Sequence, residues 1–139
     1  MLQINVVPTQ YMHQTWPLVR GFIEDALTKG DPGIPLYSLD NILQYLVNGD
    51  WELFIAVEDG KVIGSTTVSY INYPLQRIAV ITTVGGRHII DKRSFSEFMQ
   101  ILKTQRGVTL VQAFGRESIV RLWRRYNFKT RNTLVELPL

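Results

Sequence analysis

The chain has 139 residues, of which 45% are hydrophobic and 19% charged, the balance of one globular domain spanning residues 1–139. It contains no cysteine and only two histidines, His13 and His88, which excludes disulfides, thiol catalysis and cysteine-based metal sites and argues against any resident metal. No apolar run approaches membrane-spanning length and no charged-then-apolar leader opens the chain, so neither a membrane span nor a signal peptide is expected.

Charge is divided unevenly. Residues 1–70 carry 3 Lys/Arg against 8 Asp/Glu, a net of −5, and residues 71–139 carry 12 against 4, a net of +8. A basic second half points to an anionic ligand or partner on that side, or to an ordinary solvated face.

In chain order, residues 2–7 form a first strand around Ile4, Val6 and Val7, ended by Pro8-Thr9. A helix is expected to begin near Thr15, with Pro17 in its first turn. Val19, Phe22, Ile23, Ala26 and Leu27 mark its apolar face, and Gly30-Asp31-Pro32-Gly33 is its stop signal. Ser38 is the expected N-cap of a second helix with Leu39, Ile42, Leu43 and Leu46 inward, ended by Gly49. Two strands, 51–57 and 62–70, flank Asp59-Gly60, a two-residue hairpin turn. A third strand over 76–84 follows Tyr73-Pro74 and stops at a turn made by Gly85-Gly86, completing an antiparallel meander. Ser94-Phe95-Ser96-Glu97 carries a capping-box pattern, and Phe95, Phe98, Met99 and Leu102 follow at helical spacing up to Gly107. A strand over 108–114, parallel to its predecessor, then a helix over 118–126 with Ile119, Leu122 and Tyr126 on one side, and a sixth strand over 129–139 complete the chain.

The architecture is therefore α/β of the mixed α+β kind, with a mostly antiparallel sheet of about six strands and about four helices on its faces. Its element order resembles that of the GNAT superfamily of acetyl-coenzyme A-dependent N-acetyltransferases. The likeness is carried by Leu53-Phe54-Ile55-Ala56-Val57-Glu58-Asp59-Gly60-Lys61-Val62-Ile63-Gly64 and by Leu122-Trp123-Arg124-Arg125-Tyr126-Asn127-Phe128. A narrower likeness, to small GNAT-like proteins of tailed bacteriophages, including internal or head-associated virion proteins, rests on Gly49-Asp50-Trp51-Glu52-Leu53, Tyr73-Pro74, Val84-Gly85-Gly86 and Gly115-Arg116. It implies a location in the virion or the bacterial host cytoplasm, and partners that are other virion proteins or further copies of the chain.

The resemblance implies acetyl-CoA as the possible cofactor, held at Val84, Gly85, Gly86, Arg87, Lys92, Arg93 and Ser94. In such enzymes a glycine-bearing loop exposes backbone amides to the pyrophosphate at a helix N-terminus. Here the loop reads Arg87-His88-Ile89-Ile90-Asp91-Lys92-Arg93: it lacks the glycines, and Asp91 brings a like charge. Arg87, Lys92 and Arg93 are left to grip an anion through their side chains. The resemblance also implies a tyrosine acid where Trp123 stands, leaving Tyr126 as the catalytic candidate, with core packing as its other reading. No carboxylate lies in the expected base positions; Gln112 cannot take a proton, and Glu52 or Glu58 would have to act through a water or be plain strand-end charges. His88 is a further acid–base candidate or a solvent-facing loop residue. Separately, Arg116, Arg121, Arg124, Arg125, Lys129 and Arg131 form a basic surface suited to nonspecific nucleic-acid contact or an acidic protein. The expectation from all of this is a GNAT fold with a degenerate acetyl-CoA site and a binding role, with a working N-acetyltransferase as the alternative.

Overall fold

In the computed structural model, which describes residues 1–29, 36–89, 91–115 and 117–139, alternation along the strands divides the core in two. Trp51 and Leu53 of β2 (Trp51–Glu58) face one side of the sheet, and Phe54 and Ala56 face the other. The sheet runs β1 (Leu2–Val7), β2, β3 (Lys61–Asn72), β4 (Arg77–Gly86), β5 (Leu110–Ala113), antiparallel except for β4 with β5. On the first face Val19 and Ile23 of α1 (Met12–Lys29) and Ile42 and Leu46 of α2 (Leu39–Asn48) close over Trp51 and Leu53. On the second, Phe98 and Leu102 of α3 (Phe95–Arg106) and Trp123 of α4 (Glu117–Arg124) close over Phe54, Ala79 and Ile81. Both layers follow from period-2 strands meeting period-3.6 helices.

The punctuation of α2 and the first hairpin follows the sequence. The Ser38 hydroxyl accepts from the Asn41 amide at 3.1 Å while the Asn41 side chain accepts from the Ser38 amide at 2.9 Å, and Gly49 ends α2 with φ +80°. Asp59 and Gly60 both take positive φ, as a primed hairpin turn requires.

Five expectations change. The first helix begins at Met12, behind a short 3-10 turn at Thr9–Tyr11, and carries Pro17 inside it; Met12 is buried and anchors the start, while Pro17 lies on the exposed side, where water can serve the carbonyl it leaves unpaired. β4 does not stop before the glycine pair: Gly85 pairs with Ser65 and Gly86 with Gly64. β5 is shorter than expected. The capping box at Ser94 does not form, because the Ser94 hydroxyl turns to Asp91 and Glu97 accepts from the Ile4 amide of β1 at 3.3 Å. The sixth strand is absent: residues 129–139 are exposed and take no regular structure, so the described sheet has five strands. A lone segment has no ladder partner unless a strand edge lies beside it. The stop signal at residues 30–33 lies outside the described residues, as does Arg116, and the side chain of Ile119 is not described.

Candidate functional site

The site is generated by a disagreement in strand length. β5 pairs with β4 only from Ile78 to Ile81, whereas β4 continues to Gly86. At that point a bulge interrupts β4: Thr67 pairs with Thr83 and Val68 with Ile81, leaving Thr82 without an opposite residue. Hydroxyls lock the irregularity. Thr67 Oγ1 lies 2.7 Å from both Thr82 Oγ1 and Thr83 Oγ1, and Thr66 Oγ1 donates to the Thr83 carbonyl at 2.6 Å. A bulge raises local twist and ends pairing. Beyond it, residues 82–86 of β4 have no strand neighbour on the β5 side among the described residues. The pairing of β4 with β5 therefore ends at Ile81 and Ala113, short of the end of β4.

Of the expected cofactor residues, the glycines are held by backbone packing. A Cβ on Gly85 would meet the Phe22 carbonyl oxygen of α1, and one on Gly64 would meet the Arg87 carbonyl oxygen. Arg87 donates its amide to Ile63 at 2.8 Å, so the loop leaves β4 tied to β3. Val84 packs against the α3-side core, Ser94 is buried, and Arg87 and Lys92 are exposed. Arg93 bonds Glu58 at 3.1 Å, which makes the latter an ion-pair partner across the loop.

Asp91 organises the approach to α3. Its Oδ1 accepts from the Arg93 amide at 2.8 Å and from the Ser94 hydroxyl at 3.3 Å, its Oδ2 pairs with His88 Nδ1, and its backbone carbonyl accepts from the Phe95 amide at 2.9 Å. His88 has φ +60°, the left-handed turn that brings its ring back to Asp91, and Ile89 is buried to anchor the loop. Partial burial alone would raise the Asp91 pKa; the His88 and Arg93 hydrogen bonds outweigh it and hold the carboxyl below its ordinary 3.8. An ionised side chain of the protein thus sits in the turn that leads into α3, bonded to the Arg93 amide and the Ser94 hydroxyl, and a negative charge near a helix start is favoured.

The aromatic end of α4 adjoins this loop. Tyr126 stacks on Phe95 with centroids 4.7 Å apart, Phe128 lies 5.0 Å from Trp123, and Trp123 is buried with its indole Nε1 lacking an acceptor among the described residues. Asn127 takes φ +68°, so the turn tolerates asparagine. Gln112 alternates with Val111 and Ala113, which pack on the α3 side, and so belongs to the opposite face. Arg121, Arg124, Arg125, Lys129 and Arg131 are all exposed, with Arg124 donating to Thr130 at 2.7 Å.

Glu52 is not a plain strand-end charge. Arg106 grips it through Nε and Nη2 at 2.8 Å each, and the Tyr70 hydroxyl donates to it at 2.6 Å. Burial, then the Glu52 bond and charge, push the Tyr70 pKa far up, and the same carboxylate raises that of Arg106. Arg77 lies 4.6 Å over the Tyr70 ring. The network ties β2, β3, β4 and the C-terminal end of α3 together, at the opposite end of α3 from Asp91. Glu52→Ala is expected to cost about 1–3 kcal/mol in urea unfolding, because it leaves Arg106 and Tyr70 half-buried without their acceptor; an unchanged midpoint would deny the network its role. The alkaline limb has a definite sign. A raised Tyr70 pKa contributes stability that is whole below pH 10 and lost as pH climbs above it.

No protein-family model matches the chain, and no curated protein matches it closely enough to be a relative. Solved structures do. An aminoglycoside acetyltransferase from an uncultured soil metagenomic sample, in complex with sisomicin, is 15% identical with a TM-score of 0.68, over 99% of this chain and 95% of that one. A predicted acetyltransferase with acetyl-CoA from Clostridium acetobutylicum is 14% identical with a TM-score of 0.64, over 99% and 96%. A ribosomal-protein-alanine N-acetyltransferase from Brucella melitensis biovar Abortus 2308 is 13% identical with a TM-score of 0.64, over 99% and 100%. At these identities the likeness shows the fold alone: the chain has the GNAT fold. The narrower bacteriophage likeness has no counterpart in these three structures. Among the described residues no cluster of His, Cys, Asp and Glu could hold a metal ion, and no helix is long and apolar enough to cross a membrane.

Proposed function

We propose that this protein uses the GNAT fold as a binding scaffold, with the usual cofactor phosphate position taken by its own Asp91. The carboxylate bonded to the Arg93 amide and the Ser94 hydroxyl carries this reading. An incoming pyrophosphate would have to displace it or accept a like charge a few ångströms away, which costs about 1–4 kcal/mol between water-like and surface dielectrics. Trp123 is buried where a tyrosine acid would be expected, and Tyr126 is stacked on Phe95. The partner we infer is a protein, either a virion component, as the sequence likeness to phage proteins suggests, or another copy of the chain. Nucleic-acid backbone contact through Arg121, Arg124, Arg125 and Lys129 is the weaker form of the same idea.

A second reading is favoured by the open edge of β4 past the bulge, and by the acetyl-CoA in a structure of the same fold. In it the chain is an N-acetyltransferase in which Arg87, Lys92 and Arg93 hold the phosphates by side chain and Tyr126 returns the proton to the leaving thiolate. The two separate in an assay of free thiol released from acetyl-CoA in the presence of peptide and polyamine amines. The scaffold reading expects no release above the uncatalysed rate. Turnover that drops in Tyr126→Phe would establish the enzyme instead.

A further inference from the structure

The outer edge of β1 is open, and one side chain already stands where a neighbouring strand would. Among the described strands β1 pairs with β2 alone, in an unbroken register from Leu2 with Glu58 to Val7 with Leu53. The Ile4 amide donates to Glu97 Oε1 of α3 at 3.3 Å, so it points away from β2, and in an antiparallel ladder the amides of Leu2 and Val6 share that direction. Edge strands are commonly guarded by lysine, proline or a bulge; Leu2-Gln3-Ile4-Asn5-Val6-Val7 has none of these. Its cover is Glu97, whose carboxylate gives the Ile4 amide the oxygen that a strand carbonyl would bring. Beside the edge lies a groove of about 640 Å³ between β1 and α3, lined by Ile4 and Ile101 and by exposed Glu97, Gln100 and Arg93. Arg93, the one base in that lining, is bonded to Glu58, and Glu97 has no ion-pair partner among the described residues.

Resting on the protein-partner reading above, we propose that the outer edge of β1 docks an extended segment of a partner protein that carries a lysine or arginine opposite Ile4. A partner carbonyl takes over the Ile4 amide, and the displaced Glu97 carboxylate meets the partner's cation. The long bond of 3.3 Å is thereby exchanged for a backbone bond and an ion pair. The position of the cation follows from the pleat. Residues opposite each other in a ladder share a face, and Ile4 lies on the α3 face with Phe54 and Ala56. A side chain opposite Ile4 therefore enters the groove, where a lysine or arginine lays its aliphatic stem along Ile4 and Ile101 and carries its head to Glu97. Charge decides against a second copy of the chain as the occupant. The register that pairs β1 most fully with itself sets Ile4 opposite Ile4, and its two-fold axis would bring two Glu97 carboxylates together, a like-charge contact. Residues 1–70, with 3 Lys/Arg against 8 Asp/Glu and a net of −5, add attraction for a basic segment.

The test titrates the full chain with an end-blocked seven-residue peptide that alternates threonine with valine and has lysine in place of its central valine. Saturable binding with a dissociation constant of about 100 µM or tighter is expected, with slowed hydrogen exchange at the amides of Leu2, Ile4 and Val6. A glutamate in place of the peptide's lysine should weaken binding roughly tenfold, the effect of a like charge at the contact. Glu97→Lys, at an exposed position, should reverse the preference between the two peptides, and Glu97→Gln should abolish it. Each preference is measured within one variant, so a small change in stability leaves it readable. No saturable binding overturns the proposal. Equal binding of a lysine peptide with alternate backbone amides methylated also overturns it, since charge alone would then suffice. Protection at β5 in place of β1 would put the peptide on the other edge of the sheet, and a dimer of the chain alone with β1 protected would make the occupant a second copy; either result overturns the assignment. The scaffold reading itself fails on acetyl-CoA binding, a separate titration, so the two failures are distinguishable.

Discussion

Asp91→Ala is expected to raise the affinity for acetyl-CoA about tenfold while lowering the stability of the protein by about 1 kcal/mol. The two effects share one cause. The carboxylate caps the first turn leading into α3 through the Arg93 amide and the Ser94 hydroxyl, and loss of a cap of this kind costs about 1 kcal/mol. The same loss removes a unit negative charge from the position an incoming phosphate needs and frees the Arg93 amide; a charge at about 4 Å is worth 1 kcal/mol or more even in a water-like dielectric. Arg87 and Lys92, both exposed, are then left to attract the anion without opposition. The pH dependence has a defined sign. The Asp91 pKa is depressed, so its contribution to stability is complete above the ordinary 3.8 and is lost as pH falls through the folded-state value; that acid limb should be missing in the variant. Isothermal titration and acid denaturation of the two proteins check both halves. A variant that binds no better than wild type would mean that Asp91 is only a structural cap.

Phe98→Ala is expected to destabilise the protein by about 3–5 kcal/mol, the usual range for deleting a fully buried aromatic ring. Phe98 is 0% exposed, its ring centroid lies 5.0 Å from that of Phe54, and it forms with Leu102 the buried stripe by which α3 lies on the sheet. The loss would reach the site, since α3 carries Phe95, on which Tyr126 stacks, and the turn capped by Asp91. Against the 5–15 kcal/mol available to a domain of this size, such a loss leaves a marginal fold. Urea unfolding followed by tryptophan fluorescence measures it; a loss below about 1 kcal/mol would show that α3 is held by something other than its apolar stripe.

Most elements were legible because they rest on short-range signals: the apolar runs over 51–57 and 62–70 on either side of the Asp59-Gly60 turn, the Ser38 cap and the helical spacing of Phe95, Phe98 and Leu102. What failed did so where a residue far along the chain takes over a local rule. Ser94 and Glu97 have a capping-box spacing, yet Asp91 and the amide of Ile4 claim their side chains. Gly85-Gly86 looks like a turn, but the turn is displaced because the close approach of Phe22 and Gly64 uses both glycines inside the strand. The last segment has a strand's composition but pairs with none of the five strands of the described sheet. At the site, sequence marked Asp91 as a charge hostile to phosphate but carried no sign that it would bond the helix start itself. Glu52, Tyr70 and Arg106 are separated by 18 and 54 positions, so no local pattern could have joined them.

The central claim, that the cofactor phosphate position is filled by the protein's own carboxylate, meets its most direct test in calorimetric titration of acetyl-CoA into the wild-type chain at low and moderate salt. The account predicts no saturable heat up to high micromolar ligand. Saturable binding with a dissociation constant of about 10 µM or tighter, near −7 kcal/mol, would contradict it and make the chain a cofactor-binding member of its fold.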